Sequence, residues 1–252
     1  MSDSIDLNAD LGEDESADGI ARDVAMMEIV SSCNIACGGH AGSPELAARM
    51  LVAALQHKVA PGAHPSYPDR ENFGRVSMAI APDELAASLH AQVRLVLDVA
   101  DRTGAKITHI KPHGALYNDA QDSEILSRIL VDLAKTHQLP LVGMVPSGLR
   151  DHARDQNIGF IAEAFVDRRY DKNVRLVPRS QPDAVIADQQ ERLDQGLALA
   201  KGRPIKISGG EELQISADTL CLHSDSNGAL KTAQLMRAEL ERHGIGVGVP
   251  KS

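Results

Sequence analysis

Short apolar runs alternate with amphipathic helical stripes along almost the whole of this chain. That order is the pattern of βα units, each strand followed by a helix that covers it, and it points to a parallel sheet flanked by helices. The apolar runs lie at residues 5–8, 29–37, 59–63, 106–111, 139–145, 158–162 and 219–222. Between them, Ser43 and Pro44 open a helix whose Leu46, Met50, Leu51, Ala54 and Leu55 share one face. Pro82 and Asp83 open a longer one, with Leu85, Leu89, Val93, Val96 and Ala100 in a stripe and Gly104 as the stop. Further helices are expected over 122–137, 148–156, 182–200 and 227–243, with a small hairpin over 204–215 turning at Gly209-Gly210. Residues 165–180, rich in Arg and Asp, read as an ordered excursion.

No linker or repeat interrupts this order, so residues 1–252 are expected to form one domain. The predicted fold class is an α/β barrel of seven strands, with a doubly wound open sheet as the alternative. In either case a site should form at the carboxyl ends of the strands.

Composition narrows the function. The net charge of −9 and an aromatic content of 2%, with no Trp, argue against nucleic-acid binding and against stacking platforms for sugars or bases. Cys33, Cys37 and Cys221 match neither a disulfide framework nor a zinc knuckle, and are expected as buried thiols in a reducing, cytoplasmic setting. The amino-terminal residues show no secretory pattern, and no run is long enough to cross a membrane. No phosphate-binding loop, dinucleotide fingerprint, serine elbow or H-E-x-x-H motif occurs.

The polar residues at the strand ends carry the chemistry. His40, His64, His113 and His223 each follow an apolar run and sit in a turn with Gly, Pro or Ser. One such histidine is ordinary; four at the ends of different βα units suggest a shared site. Alternation along the first strand puts Asp6, Asn8 and Asp10 on one face, opposite Leu7 and Leu11. Asp10 is then a candidate general base or metal ligand. Arg75, Lys111, Glu163 and Asp167 occupy similar strand-end or turn positions. A divalent metal on Asp10, His40 and His64 is one expectation, since a carboxylate with imidazoles suits Zn²⁺ or Mn²⁺.

Taken in order, several stretches are specific: 6-DLNADLGE-13, 34-NIACGGHAG-42, 62-GAHPSYPD-69, 73-FGR-75, 111-KPHGALYN-118, 163-EAFVDRRY-170 and 222-LHSD-225. Together they resemble the LamB/YcsF family, whose members form the A subunit of a bacterial ATP-dependent 5-oxoprolinase. Gly39, Ser43, Val76 and Ser224 depart from the residues usual in that family. The resemblance implies a seven-stranded barrel akin to the sugar-deacetylase barrels. It implies cleavage of 5-oxo-L-proline to L-glutamate with ATP, in company with subunits B and C, and leaves self-association of the chain open. On that reading Asp10 or a histidine serves as base, and His40, His64 and His113 as acid, oxyanion or metal groups. Lys111 or Arg75 holds the substrate carboxylate, and Asn8, Glu163, Asp167 and His223 complete the substrate site. The competing classes are a stand-alone metal-dependent deacetylase and a non-catalytic binding subunit.

Overall fold

The structure is a computed structural model that describes residues 4–222 and 228–249. The chain runs β1 (Ser4–Leu11), α1 (Ala17–Met27), β2 (Ser32–Ala36), α2 (Pro44–His57), β3 (Ala60–His64), α3 (Pro82–Thr103), α4 (Gly114–Asp119) and α5 (Glu124–His137). It continues through β4 (Leu141–Gly143), α6 (Gly148–Asp155), β5 (Phe160–Phe165), α7 (Gln189–Ala200), the hairpin β6 (Ile205–Lys206) and β7 (Glu212–Leu213), β8 (Thr219–Cys221), α8 (Ala229–Arg242) and β9 (Gly246–Val247).

The main sheet is parallel, in the order β3-β2-β1-β8-β5-β4, with β9 added beside the start of β1. The two outer strands are joined through Ile110, which bridges Ala63 of β3 on one side and Leu141 of β4 on the other, both in parallel. The sheet therefore closes into a barrel of seven parallel stretches: β1, β2, β3, residues 107–111, β4, β5 and β8.

The run at 106–111 is expected as a full strand, but it makes only this narrow double bridge. Pro61 and Pro140 stand in its neighbours. Neither has an N–H to donate, so the ladder cannot extend past them. Thr108 and Ile110 instead donate to the carbonyls of Pro61 and Pro140, at 2.8 and 2.9 Å.

Alternation along β1 sends Leu7, Ala9 and Leu11 outward under the helices and Asp6, Asn8 and Asp10 into the barrel. Both sets are buried. Where parallel barrels are usually filled by branched apolar side chains, this one is filled by a polar lattice. Asp6 accepts from Ser31, Ser32 and Thr219 at 2.5, 2.6 and 2.5 Å. Asn34 donates to Asn8 at 2.9 Å and to Asp10 at 2.8 Å. His109 meets the Asn34 carbonyl oxygen at 2.8 Å, and a Cβ on Gly62 would lie 2.1 Å from that imidazole, so the strand must be bare there.

The helices follow their sequence signals with a few corrections. Ser43 caps α2 by accepting from the Leu46 N–H, Pro44 occupies its first turn, and Gly104 ends α3 in the left-handed region. The helix expected from 122 begins at Glu124, because Ser123 is its cap. The one expected from 182 begins at Gln189: Asp188 caps it, and residues 184–186 pair back onto 167–169 instead. Helices α1 and α4 are not foreseen by the periodicity; α1 has a short apolar stripe behind an acidic start, and α4 is six residues long. All three cysteines are buried and unbridged. Among the described residues no helix is long and apolar enough to cross a membrane.

Buried Asp23 of α1 accepts the Gly12 N–H at 2.8 Å, and so fixes the turn that leaves β1. Burial pushes its carboxyl up from the usual range to about 6. The native state thus binds this proton more tightly than the unfolded chain does, and stability falls as pH rises through about 4 to 6. Asp23→Asn keeps the acceptor and removes the buried charge. Urea unfolding should show it more stable than the parent by on the order of 1–3 kcal/mol at pH 7.5, with the gain gone near pH 4.

Candidate active site

Lys111 follows the bridged segment and points into the barrel, almost wholly buried at 2% exposure. Its Nζ lies 2.8 Å from Glu163 Oε1, 2.9 Å from Asp10 Oδ1, 3.3 Å from Asn8 Oδ1 and 3.2 Å from Cys221 Sγ. Burial alone would favour the neutral amine; the charges of Asp10, Cys221 and Glu163 outweigh it and hold the ammonium well above its usual range. The ammonium expected to clamp a substrate carboxylate is thus already met by two carboxylates of the protein. Asn8 and Glu163 do not reach the cavity above. Asn8 donates to Glu163 at 3.0 Å and to Thr219 at 2.7 Å, so both belong to the scaffold beneath Lys111.

Three imidazoles gather above this layer. His40 comes from the loop after β2, His64 from the last residue of β3, and His113 from the cap position of α4. His40 and His113 are stacked with centroids 3.6 Å apart, and His64 meets each edge-on. Backbone carbonyls fix two of the tautomers. His64 Nδ1 lies 2.7 Å from the Lys111 oxygen, and His113 Nε2 lies 3.0 Å from the Phe73 oxygen. A carbonyl only accepts, so those nitrogens carry the protons. In the neutral rings His64 Nε2 and His113 Nδ1 then present lone pairs toward each other, 3.0 Å apart. Burial, then the charge of His64, depresses His40 to about 2; burial, then His40 and His64, puts His113 well below its ordinary value.

Glu13 completes the group. Its Oε1 lies 3.1 Å from His40 Nε2, 3.4 Å from His113 Nδ1 and 4.0 Å from His64 Nε2. The alternation of β1 gives no hint of this. Gly12 has φ of 75°, which breaks the strand's parity and swings Glu13 over the barrel mouth. Phe73 is also unforeseen as a support. It is a non-glycine residue at φ 55°, a conformation that costs on the order of 1–2 kcal/mol. In that conformation its carbonyl accepts from His113 and its ring sits edge-on to His40 and His113. Gly39 lies beside Gln92 of α3: a Cβ there would be 2.3 Å from Gln92 Oε1 and 2.5 Å from Ser66 Oγ, so the chain is bare where these side chains stand.

Glu13, His40, His64 and His113 each bring one ligand atom, all within 4.8 Å of one another. Donors around a tetrahedral Zn²⁺ at roughly 2.0–2.1 Å stand about 3.3 Å apart. Three of the six separations, 3.0, 3.1 and 3.4 Å, match that; a fourth is longer at 4.0 Å, and the remaining two lie within 4.8 Å. One carboxylate and three neutral imidazoles form a set that can hold a divalent metal. The expected set of Asp10, His40 and His64 is corrected here. Asp10 Oδ1 is engaged by Lys111 and Asn34, and its Oδ2 stands 3.5 Å from His64 Nε2, beside the cluster.

A cavity of about 400 Å³ is lined by Asp10, His64, Lys111 and His113, while Glu13 and His40 do not line it. Arg75 reaches it from the rim, its guanidinium 4.7 Å from the Phe73 ring centre, and Tyr117, Arg168 and Arg179 line its walls. Asp167 is buried and does not line the cavity; its carbonyl accepts from Ile186. His223, the remaining predicted site residue, lies outside the described residues.

Residues 5–251 match the model of the LamB/YcsF family. The chain belongs to the LamB/YcsF family. A relative from Bordetella parapertussis, named as the A subunit of 5-oxoprolinase, is 40% identical over 249 residues, covering 98% of this chain and 99% of the relative. The crystal structure of the lactam utilization protein from Thermus thermophilus superposes on this LamB/YcsF chain with a TM-score of 0.90 at 35% identity, covering 98% of this chain and 99% of that one. A family 4 carbohydrate esterase from Streptomyces lividans, at 10% identity and a TM-score of 0.50 over 98% of this chain and 92% of its own, shares the fold alone.

Replacing Lys111 by Met would leave Asp10 and Glu163 buried without their cation. Loss of one partner of such a group costs about 3–5 kcal/mol. Urea unfolding at pH 8 should show a deficit of that order.

Proposed function

We propose that this LamB/YcsF chain is the A subunit of an ATP-dependent 5-oxoprolinase, and that it opens the lactam of 5-oxo-L-proline to give L-glutamate together with subunits B and C. The observation that carries this reading is the near-complete alignment with a relative named for that role, joined to a carboxylate-and-imidazole cluster under an open cavity.

A lactam resists water because resonance stabilises its carbonyl. Transfer of the γ-phosphoryl group of ATP to the lactam oxygen removes that protection and releases ADP. Water then adds to the ring carbon. The ring C–N bond breaks with its electron pair to nitrogen, which takes a proton, and a second water releases phosphate from the acyl phosphate so formed. Within this chain, Asp10 at the cavity floor accepts the proton of the attacking water. His40, His64 and His113 act as acid or oxyanion groups once an inward lone pair among them has taken up a proton, which is then given to the leaving nitrogen. Glu13, His40, His64 and His113 would hold a divalent metal, which when bound supplies Lewis acidity and lowers the pKa of its water. Arg75, at the rim, is placed to meet a substrate carboxylate.

The decisive assay is glutamate formation from 5-oxoproline and ATP, with the chain alone and with subunits B and C. Turnover is expected in the assembly; an assembled enzyme that forms no glutamate overturns the reading. In that assembly His113→Ala should lower the rate at least about tenfold while the chain stays folded. Protein prepared without chelator should carry close to one equivalent of Zn²⁺ or Mn²⁺ by elemental analysis, and Glu13→Gln should reduce it. A metal-free preparation with full activity removes the metal from the proposal.

A further inference from the structure

The excursion between β5 and α7 brings two arginines into the catalytic cavity. Arg168 follows the end of β5 by three residues and is 5% exposed. Its Nε donates to the Ala184 carbonyl at 3.1 Å and its Nη2 to the Val177 carbonyl at 2.7 Å. Both partners are neutral. The backbone that supplies them is itself pinned, by bridges from Arg168 to Val185 and from Tyr170 to Leu176. Arg179 stands on the exposed lip of the same excursion and lines the same cavity.

This is an unusual way to bury a cation. Arginines taken out of water are normally paired with a carboxylate, since carbonyls alone do not offset the lost hydration. Here the second charge makes matters worse: burial, and then the nearby charge of Arg179, bring Arg168 down to about 10, and the charge of the adjacent Asp167 offsets only part of that. The acidic groups lining the cavity have other partners. Asp10 is held by Lys111 at 2.9 Å, and Asp119 accepts from the Tyr67 hydroxyl at 3.0 Å. The wall that carries Arg168, Arg179 and Ser180 therefore faces the cavity with net positive charge. A planar guanidinium whose other nitrogens are locked by backbone carbonyls is preorganised to meet an oxyanion.

We propose that Arg168 and Arg179 form an oxyanion subsite in the wall of the catalytic cavity, which takes a carboxylate or phosphoryl group of the bound ligand. The subsite rests on the proposed reaction only for the name of its occupant: 5-oxoproline supplies a carboxylate, and the activated lactam supplies a phosphoryl group. It moves the anion clamp from Lys111, which the protein's own carboxylates consume, to the excursion after β5.

Isothermal titration of the wild-type chain and of Arg179→Gln and Arg168→Lys with 5-oxoproline, with 2-pyrrolidone (the same lactam without its carboxylate) and with inorganic phosphate tests this. Arg179→Gln lies on the exposed lip, so its folding is not at stake, and thermal melts check both variants. If the carboxylate is the occupant, 5-oxoproline binding weakens at least about tenfold in both variants while 2-pyrrolidone binding is unchanged. If the phosphoryl group is the occupant, phosphate binding weakens by that factor and 5-oxoproline binding holds. Equal binding of both anions by wild type and folded Arg179→Gln overturns the proposal, as does a wild-type chain that binds neither. These titrations require no turnover, so an assembly that makes no glutamate leaves the subsite standing.

Discussion

A single ammonium inside the barrel decides what the rest of this structure can be. Lys111 reaches three stretches of sheet at once, through Asp10 of β1, Glu163 of β5 and Cys221 of β8. An apolar filling would have made any buried charge untenable. A polar filling is tolerated only when each group has its partner, because a half-satisfied network is worse than none. The Asn8, Asn34 and Thr219 contacts supply most of those partners, Glu163 Oε2 being left without one, and the interior becomes a hydrogen-bonded solid on which ionisable groups can be mounted. The outward faces of the same strands do the ordinary work of hydrophobic burial.

On that base His64 and His113 are aimed by backbone, while His40 stacks on His113 and meets the Glu13 carboxylate. The carbonyls of Lys111 and Phe73 each hold one ring nitrogen, which leaves the opposite nitrogen turned inward. The left-handed conformation at Phe73 is tolerated because the same residue orients one histidine and packs against two. Orientation by groups that cannot titrate keeps the geometry of these two rings independent of the charge state of their surroundings.

Much of this is legible in the chain. The alternation of strand and helix and the convergence of His40, His64 and His113 follow from where the apolar runs end, since parallel strands of a barrel discharge at one rim. Simple alternation aims Asp10 inward, as the structure has it. What alternation cannot convey is the effect of Gly12, whose dihedral angle reverses parity and makes Glu13 rather than Asp10 the fourth member of the cluster. Lys111 reads as a ligand for substrate because its partners, Asp10 and Glu163, are far away in sequence. The length of α7 is overread because residues 184–186 pair with 167–169, a contact that leaves no periodic trace. Arg168 reads as one charge among many in the Arg- and Asp-rich excursion for the same reason.

The narrow join at Ile110 has a mechanical meaning. With Pro61 and Pro140 on either side, backbone pairing there is sparse, so this is the seam at which the ring is least firmly sewn. Lys111 is the very next residue, and its side chain crosses the barrel to the far strands. The seam is thus fastened from within, by an ionic tether in place of a ladder. Two residues further on stands His113. Any loosening of the seam would withdraw the tether and an imidazole together, so the integrity of the barrel and the integrity of the site are one event rather than two.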